Sequence, residues 1–299
     1  MKLRVATRGS KLSLVQVKIA MNYLAHRLGE AVDYELVIVR TKGDEVLDRP
    51  ISQIGVKGAF EKEVNRAVLD NLADVAVHSL KDLPGELSGG LAIVAVPPRD
   101  PPNDSLVFGK GRPPVGSIEE IPEGSSIGTA SVRRSAFVLA HNPNVKVKLV
   151  RGNVDTRVRK LMEGEVDYLV LAEAGLLRLS IEVPRLRLPL DYFPPEPGQG
   201  LIAVVAPEDS PVAKRLSEAS DPLAMAMAMA EREFVRTLRA GCGVPVGGVS
   251  EALKGDLMTF IAGAASPEGA SMAVIRVRGE RSRPEDLGRR AAEELKRFL

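Results

Sequence analysis

Tryptophan is absent, cysteine occurs once, histidine three times, and aromatic residues make up 4% of the 299 residues. Each scarcity excludes something. A single cysteine forbids an internal disulfide and fits a reducing compartment. Three widely spaced histidines and one cysteine leave no ligand spacing for a zinc site. An excess of one charge is also missing. The net charge is +2, whereas a dedicated nucleic-acid binder shows basic runs or a basic excess. Seven phenylalanines and no tryptophan offer few platforms for stacking bases. No apolar run approaches the ~18 residues that span a bilayer, and the start, Met1-Lys2-Leu3-Arg4-Val5, has too short an apolar core for a signal peptide. The expectation is a cytoplasmic protein with no metal, nucleic-acid or membrane partner.

What is present is ordinary for a globular chain, with 44% hydrophobic and 27% charged residues, and the length suits two or three domains. Strands and helices alternate. Leu3 to Ala6 reads as a buried strand, and Ser10 can cap a helix whose apolar face is Leu12, Val15, Ile19, Tyr23 and Leu24, ended by Gly29. Tyr34 to Arg40 is a second strand, 60–71 a helix, 74–78 and 91–96 strands. The run Pro97-Pro98-Arg99-Asp100-Pro101-Pro102 breaks the pattern and reads as a crossover between domains. Beyond it come strands at 125–128, 145–150 and 167–171, each followed by a helix. A second cluster, Pro194-Pro195-Glu196-Pro197-Gly198-Gln199-Gly200, precedes a strand at 201–205, so the chain leaves the first domain and returns. The alternation implies mainly parallel sheets with sites at the carboxyl ends of strands. From Leu223 the pattern changes to a helix, three strands and a closing amphipathic helix from Pro284.

Polar clusters stand at those strand ends: Arg8 and Ser10; Ser79, Lys81 and Asp82; Thr129, Ser131, Arg133 and Arg134; Arg151, Asn153 and Arg157; and Arg178. Helix N-termini and arginine forks favour carboxylates or phosphates. The set therefore suggests a ligand with several acidic groups, with Asp82 as one carboxylate among cations. His78, at the end of an apolar strand, reads as a core histidine. Cys242 lies between two glycines and before Pro245, with Arg236 and Arg239 near it in sequence. Locally it reads either as an activated thiol or as an inert small residue in a turn.

Eight motifs in order resemble the porphobilinogen deaminase (hydroxymethylbilane synthase) family over nearly the whole chain. They are Ala6-Thr7-Arg8-Gly9-Ser10, Lys57-Gly58-Ala59-Phe60, Val77 to Pro84, Ile127 to Arg134, Arg151 to Arg157, Ala174 to Leu179, Pro197 to Gly200 and Gly241 to Gly247. The resemblance implies an α/β fold of two periplasmic-binding-protein-like domains joined by two crossovers, plus a small α+β C-terminal domain carrying the cofactor cysteine. The divisions expected are 1–98 with 199–220, then 99–198, then 221–299. It implies a transferase that joins four porphobilinogen molecules head to tail on a dipyrromethane cofactor, linked through a thioether to Cys242, and acts as a monomer. By match to the motifs, Asp82 and Lys81 are the catalytic residues. Ser10, Lys81, Asp82, Gly128, Thr129, Ser131, Arg133, Arg134 and Arg157 hold the cofactor, and Arg8, Lys57, Phe60, Arg151, Arg178 and Gln199 bind substrate. Three features depart from the family pattern: Ala240 for a glycine, Glu173 for an apolar residue, and a long crossover at 97–103. A non-catalytic capture protein for an anionic ligand is the alternative, and it leaves Cys242 without a use.

Overall fold

A computed structural model describes residues 1–40, 61–87, 89–238 and 245–298. The first sheet is built from β1 (Lys2–Arg8), β2 (Asp33–Val39), β3 (Val75–Ser79), β4 (Leu91–Ala95) and β10 (Ile202–Pro207), in the order β2-β1-β3-β10-β4. Helix α1 (Lys11–Leu28) begins where the Ser10 hydroxyl accepts from the Ser13 N–H at 3.2 Å and ends at Gly29, whose φ of 66° is the left-handed cap that glycine adopts without strain. Its buried face packs with Leu3, Val5 and Val77 on one side of the sheet. Helix α2 (Lys62–Leu69) covers the other side through Val64, Ala67 and Val68.

The second sheet repeats the plan with β5 (Asp104–Phe108), β6 (Ser126–Thr129), β7 (Lys146–Leu149), β8 (Tyr168–Ala172) and β9 (Arg185–Arg187), in the order β7-β6-β8-β5-β9. Three helices, α3 (Val132–His141), α4 (Val154–Met162) and α5 (Glu173–Arg178), follow β6, β7 and β8. After β10 come α6 (Pro211–Ser217) and the long α7 (Pro222–Leu238). The last unit is an antiparallel sheet of β11 (Val246–Ala252), β12 (Leu257–Ala265) and β13 (Met272–Glu280), with α8 (Pro284–Lys296). Phe234 of α7 meets Phe260 of β12 at 4.8 Å between ring centroids, inside a core shared with the first sheet. Gly288 lets α8 approach the Ala230 carbonyl of α7, where a side chain would collide.

The expectation of mainly parallel sheets needs correction. In each sheet four strands share one direction, but β10 runs antiparallel to its neighbours β3 and β4, and β5 to β8 and β9, so half of the strand pairings are antiparallel. Both β5 and β10 are the first strands after a crossover, so they enter their sheets from the opposite end. Strand β5 was hidden by its polar start, Asp104-Ser105, just after a proline-rich run. Strand β9 is only three residues long, and α6 is a helix of seven.

Candidate active site

The two five-stranded sheets face each other across a cleft of about 1010 Å³. Its floor is made by the return crossover, Glu196 to Gly200. Gly198 and Gly200, at φ 86° and 85°, allow the return crossover to lie against the Lys81 N–H and the Asp100 carbonyl, and a Cβ at either position would strike those atoms.

One wall comes from β1, β3 and the turn after β3. Arg8 and Ser10 line the cleft at the end of β1. Gln16 of α1 donates to the Ser79 hydroxyl at 2.7 Å. The turn Leu80–Asp82 then brings Lys81 and Asp82 into the cleft. Lys81 Nζ donates to Gln199 Oε1 at 3.1 Å. Enclosure by protein, helped by the nearby Arg134 cation, lowers the Lys81 ammonium to about 8, against the opposing pull of Asp82, Asp104 and Glu196. Enclosure raises the Asp82 carboxyl, opposed by Lys81 and Arg8. Asp82 nevertheless opens onto cleft water, which limits that rise and leaves it able to exchange a proton. His78, behind this wall, is buried against Asn65 at 2.9 Å and is lowered to about 4 by burial, then by Arg8. It is the core histidine the sequence suggests.

The opposite wall is cationic. Ser131 caps α3 by accepting from the Arg134 N–H at 3.3 Å. Arg134 donates to Asp104 Oδ1 at 2.7 and 3.1 Å and to the Val170 carbonyl at 3.2 Å. Arg133, 4% exposed, spends three N–H groups on Asp104, Glu196 and the Pro194 carbonyl, at 2.7, 3.2 and 2.9 Å. Arg157 donates to the Gly152 carbonyl at 2.7 Å and is lowered to about 10 by burial and by the crowding cations Arg134 and Arg151. Arg151 is 9% exposed, and its buried Nη1 has no hydrogen-bond partner among the described residues. Arg178 is braced by Asp100 at 2.8 Å and the Gly200 carbonyl at 2.7 Å.

The cleft thus gathers Arg8, Ser10, Lys81, Asp82, Ser131, Arg133, Arg134, Arg151, Arg157, Arg178 and Gln199 from both walls and the floor. Gly128 and Thr129 lie beneath it. Gly128 is packed against Val150 and Leu169, and the Thr129 hydroxyl accepts from the Ser131 N–H at 3.1 Å. Lys57, Phe60 and Cys242 lie outside the described residues, as do Arg239 and Ala240. Leu238 and Val246, described residues on either side of Cys242 in the chain, both line the cleft. Arg236 is paired with Glu233 at 2.7 Å. The departure at Glu173 is harmless to an anion-binding cleft. Its carboxylate turns away, accepting from Ser105 at 2.6 Å, Arg185 at 2.8 and 3.0 Å and Arg187 at 2.9 Å.

Sequence reasoning missed Asp104, which is fully buried between Arg133, Arg134 and Gln199. It also missed Glu231, which ties Arg99 of the first crossover to the Gly198 N–H of the second at 2.6 Å on each side. Neither belongs to a local motif, and their partners are distant in sequence. Among the described residues no cluster of His, Cys, Asp and Glu is arranged to hold a metal, and no helix is long and apolar enough to cross a membrane.

Residues 3–215 match a family model described as porphobilinogen deaminase, dipyromethane cofactor binding domain, and residues 225–297 match one described as porphobilinogen deaminase, C-terminal domain. A probable porphobilinogen deaminase of Hyperthermus butylicus is 48% identical over 299 residues, covering 100% of this chain and 97% of its own. One from Pyrobaculum arsenaticum is 47% identical over 302 residues, covering 100% and 98%. Among solved structures, the methionine binding protein MetQ aligns with 81% of this chain and 96% of its own at 10% identity and a TM-score of 0.43.

Proposed function

The chain belongs to the porphobilinogen deaminase family, and on that premise we propose how its cleft performs the family's reaction. The enzyme is a transferase that condenses four porphobilinogen molecules head to tail, releasing ammonia at each step and then hydroxymethylbilane. The dipyrromethane cofactor, when bound, supplies the fixed primer from which the chain grows.

The residues present suit that group. Every pyrrole carries an acetate and a propionate, and the cleft holds more cations than its own acids neutralise. The unpartnered Arg151 Nη1 and the cation-crowded Arg157 are the observations that carry the reading. Carboxylates there would satisfy a buried donor and relieve repulsion between like charges. Arg134, Arg151, Arg157, Ser131, Ser10 and Lys81 would hold the cofactor's acidic side chains. Arg8 and Arg178 extend the same field to incoming substrate, and Lys57 and Phe60 join them by their motif. Arg133, Gly128, Thr129 and Gln199 support this surface from beneath.

Asp82 does the chemistry at its carboxylate oxygens. It accepts the pyrrole N–H, offsets positive charge as ammonia departs from the substrate, and takes the proton released when the new bond forms. Lys81, cationic below about 8, keeps Asp82 ionised and faces the substrate's carboxylates. Residues 1–98 with 199–220, 99–198, and 221–299 are the three units of this machine. It is a cytoplasmic monomer in this reading, a compartment that its single cysteine supports.

The test is an intact mass of the denatured protein made in cells that supply porphobilinogen. A thioether survives denaturation and reductant, so the mass should exceed that of the sequence by two pyrrole units, mapped by proteolysis to the Cys242 peptide. Cys242→Ser should lose both the adduct and most of the activity. An unmodified mass in an active preparation would sink the assignment of Cys242.

A further inference from the structure

Two walls that carry different chemistry must be held in register, and one buried carboxylate touches the supports of both. Asp104 opens β5 at the end of the outgoing crossover, with no exposed surface. Its backbone is pinned, since its carbonyl accepts from the Leu188 N–H at 2.9 Å and it pairs with Ala172 of β8. Its Oδ2 accepts from Arg133 Nη2 at 2.7 Å, and its Oδ1 accepts from Arg134 Nη2 at 2.7 Å, Arg134 Nε at 3.1 Å and Gln199 Nε2 at 2.9 Å. Gln199, 1% exposed on the return crossover, also donates to the Pro102 and Asn103 carbonyls at 2.8 and 3.2 Å. Its Oε1 accepts from Lys81 at 3.1 Å and from Arg134 at 3.4 Å. All its amide atoms are engaged, so it has little to offer a substrate.

We propose that Asp104 is the positioning residue of the cleft, holding Arg133 and Arg134 of one wall directly and Lys81 of the other wall through Gln199. The proposal rests on the reading of Lys81 and Arg134 as working residues of the site. Physically, a carboxylate shared by two buried guanidiniums has its charge compensated in place and fixes both forks. An amide saturated by donors and acceptors transmits that fixed geometry, since no rotamer change is possible without orphaning a buried polar atom. The ammonium of Lys81 faces Arg134, Asp82, Asp104 and Glu196. An acceptor oxygen at 3.1 Å favours its charged form, and so does the Asp104 charge behind it.

The experiment is a carbon-13 NMR titration of the lysine Cε resonances in the full-length protein, with Lys81 identified by Lys81→Arg, run beside the pH–rate profile. Gln199→Met keeps the volume, removes the link and leaves the Asp104–arginine pairs intact. The Lys81 midpoint should fall from about 8 by about one unit, and the alkaline limb of the rate should move with it. Gln199→Glu should move both upward. Asp104→Asn should lower the midpoint and also weaken porphobilinogen binding. If that variant does not fold, the Gln199 pair carries the test. A merely structural Gln199 would lower stability and leave the midpoint where it is, and that result in folded Gln199→Met and Gln199→Glu proteins overturns the proposal. Unchanged turnover in Lys81→Gln would instead overturn the functional reading beneath it, and the proposal would fall for that distinct reason.

Discussion

The two walls of the cleft share one strand plan and have opposite temperaments. In each sheet the third parallel strand, β3 or β8, is followed within three residues by an acid near the cleft: Asp82 after β3 and Glu173 after β8. Topology puts them in corresponding places, but their surroundings differ. Glu173 is 1% exposed; burial pushes its carboxyl up, yet bonds from Arg185, Ser105 and Arg187 outweigh that and hold it at about 2. Asp82 opens to cleft water, has its carboxyl raised by enclosure, and is countered mainly by charges. An acid with every lone pair engaged by fixed donors is a brace. An acid left partly unsatisfied in a raised state can move protons. The number and rigidity of partners separate the two, not position in the fold.

The largest expected effect is at Asp82, the acid proposed to react. Asp82→Asn keeps shape and loses both the charge and the proton acceptor, so turnover should fall roughly 10²–10⁴-fold with near-normal thermal stability. Steady-state rates with a melting curve decide it. Glu173→Gln should do the reverse, leaving the rate close to normal. The comparison breaks if the two variants lose activity equally.

Next is acid stability. The folded Glu173 carboxyl lies below its ordinary 4.5, at about 2. Its contribution is therefore complete above 4.5 and is lost as pH falls from 4.5 towards 2. The unfolded state takes up the proton in that window and the folded state does not. The full difference corresponds to roughly 3 kcal/mol, reduced in practice because Arg185 and Arg187 are partly solvated. His78 acts in a higher window. With its folded value near 4 against 6.5, it is neutral in the fold, and stability falls as pH drops from 6.5 to about 4. Denaturant midpoints against pH should show both slopes, and Glu173→Gln should flatten the lower one alone.

The cationic wall answers to a third variant. Arg157→Leu removes a cation crowded by Arg134 and Arg151. Losing a charge-assisted contact costs about 1.5–3 kcal/mol. The loss should be seen as a raised KM and a smaller fraction of protein carrying the pyrrole adduct by mass. The pH dependence set by Asp82 should persist. A changed pH profile with unchanged KM would place Arg157 in the chemistry rather than in binding.

Much of this contrast was legible in the chain. Apolar runs at 3–6, 74–78 and 167–171 marked central strands, and paired prolines marked both crossovers. The arginines and Asp82 stood at strand ends, where an α/β fold collects ligands. Strand direction was not legible, because an apolar run reads the same in either sense, and so β5 and β10 came as corrections. Asp104 was not legible either. It is an isolated acid in a proline-rich stretch, and its role comes entirely from partners 29 and 30 residues away on α3 and 95 away on the return crossover. The motif points Gln199 to substrate, and what the sequence does not reveal is that its amide is buried and bonded on both atoms, which is why we propose it as a support.

The smallest effect is at the mouth, where the walls touch. Lys11, the first residue of α1, reaches Asp155 in the first turn of α4 at 3.1 Å, with side chains 79% and 38% exposed. A solvated pair of this kind contributes under ~1 kcal/mol, so neither Lys11→Ala nor Asp155→Ala should change stability much. Their effects on KM should have opposite signs. Without Lys11, Asp155 is a bare negative charge beside the path of an anionic substrate, and KM should rise by less than about five-fold. Without Asp155, Lys11 joins the cationic field, and KM should fall by a similar factor. Salt decides whether the cause is charge, since screening over a Debye length of about 3 Å at 1 M should erase both changes. A KM shift of the same sign in both variants, or one that persists in high salt, would mean that the contact sets the spacing of the walls rather than the charge at their entrance.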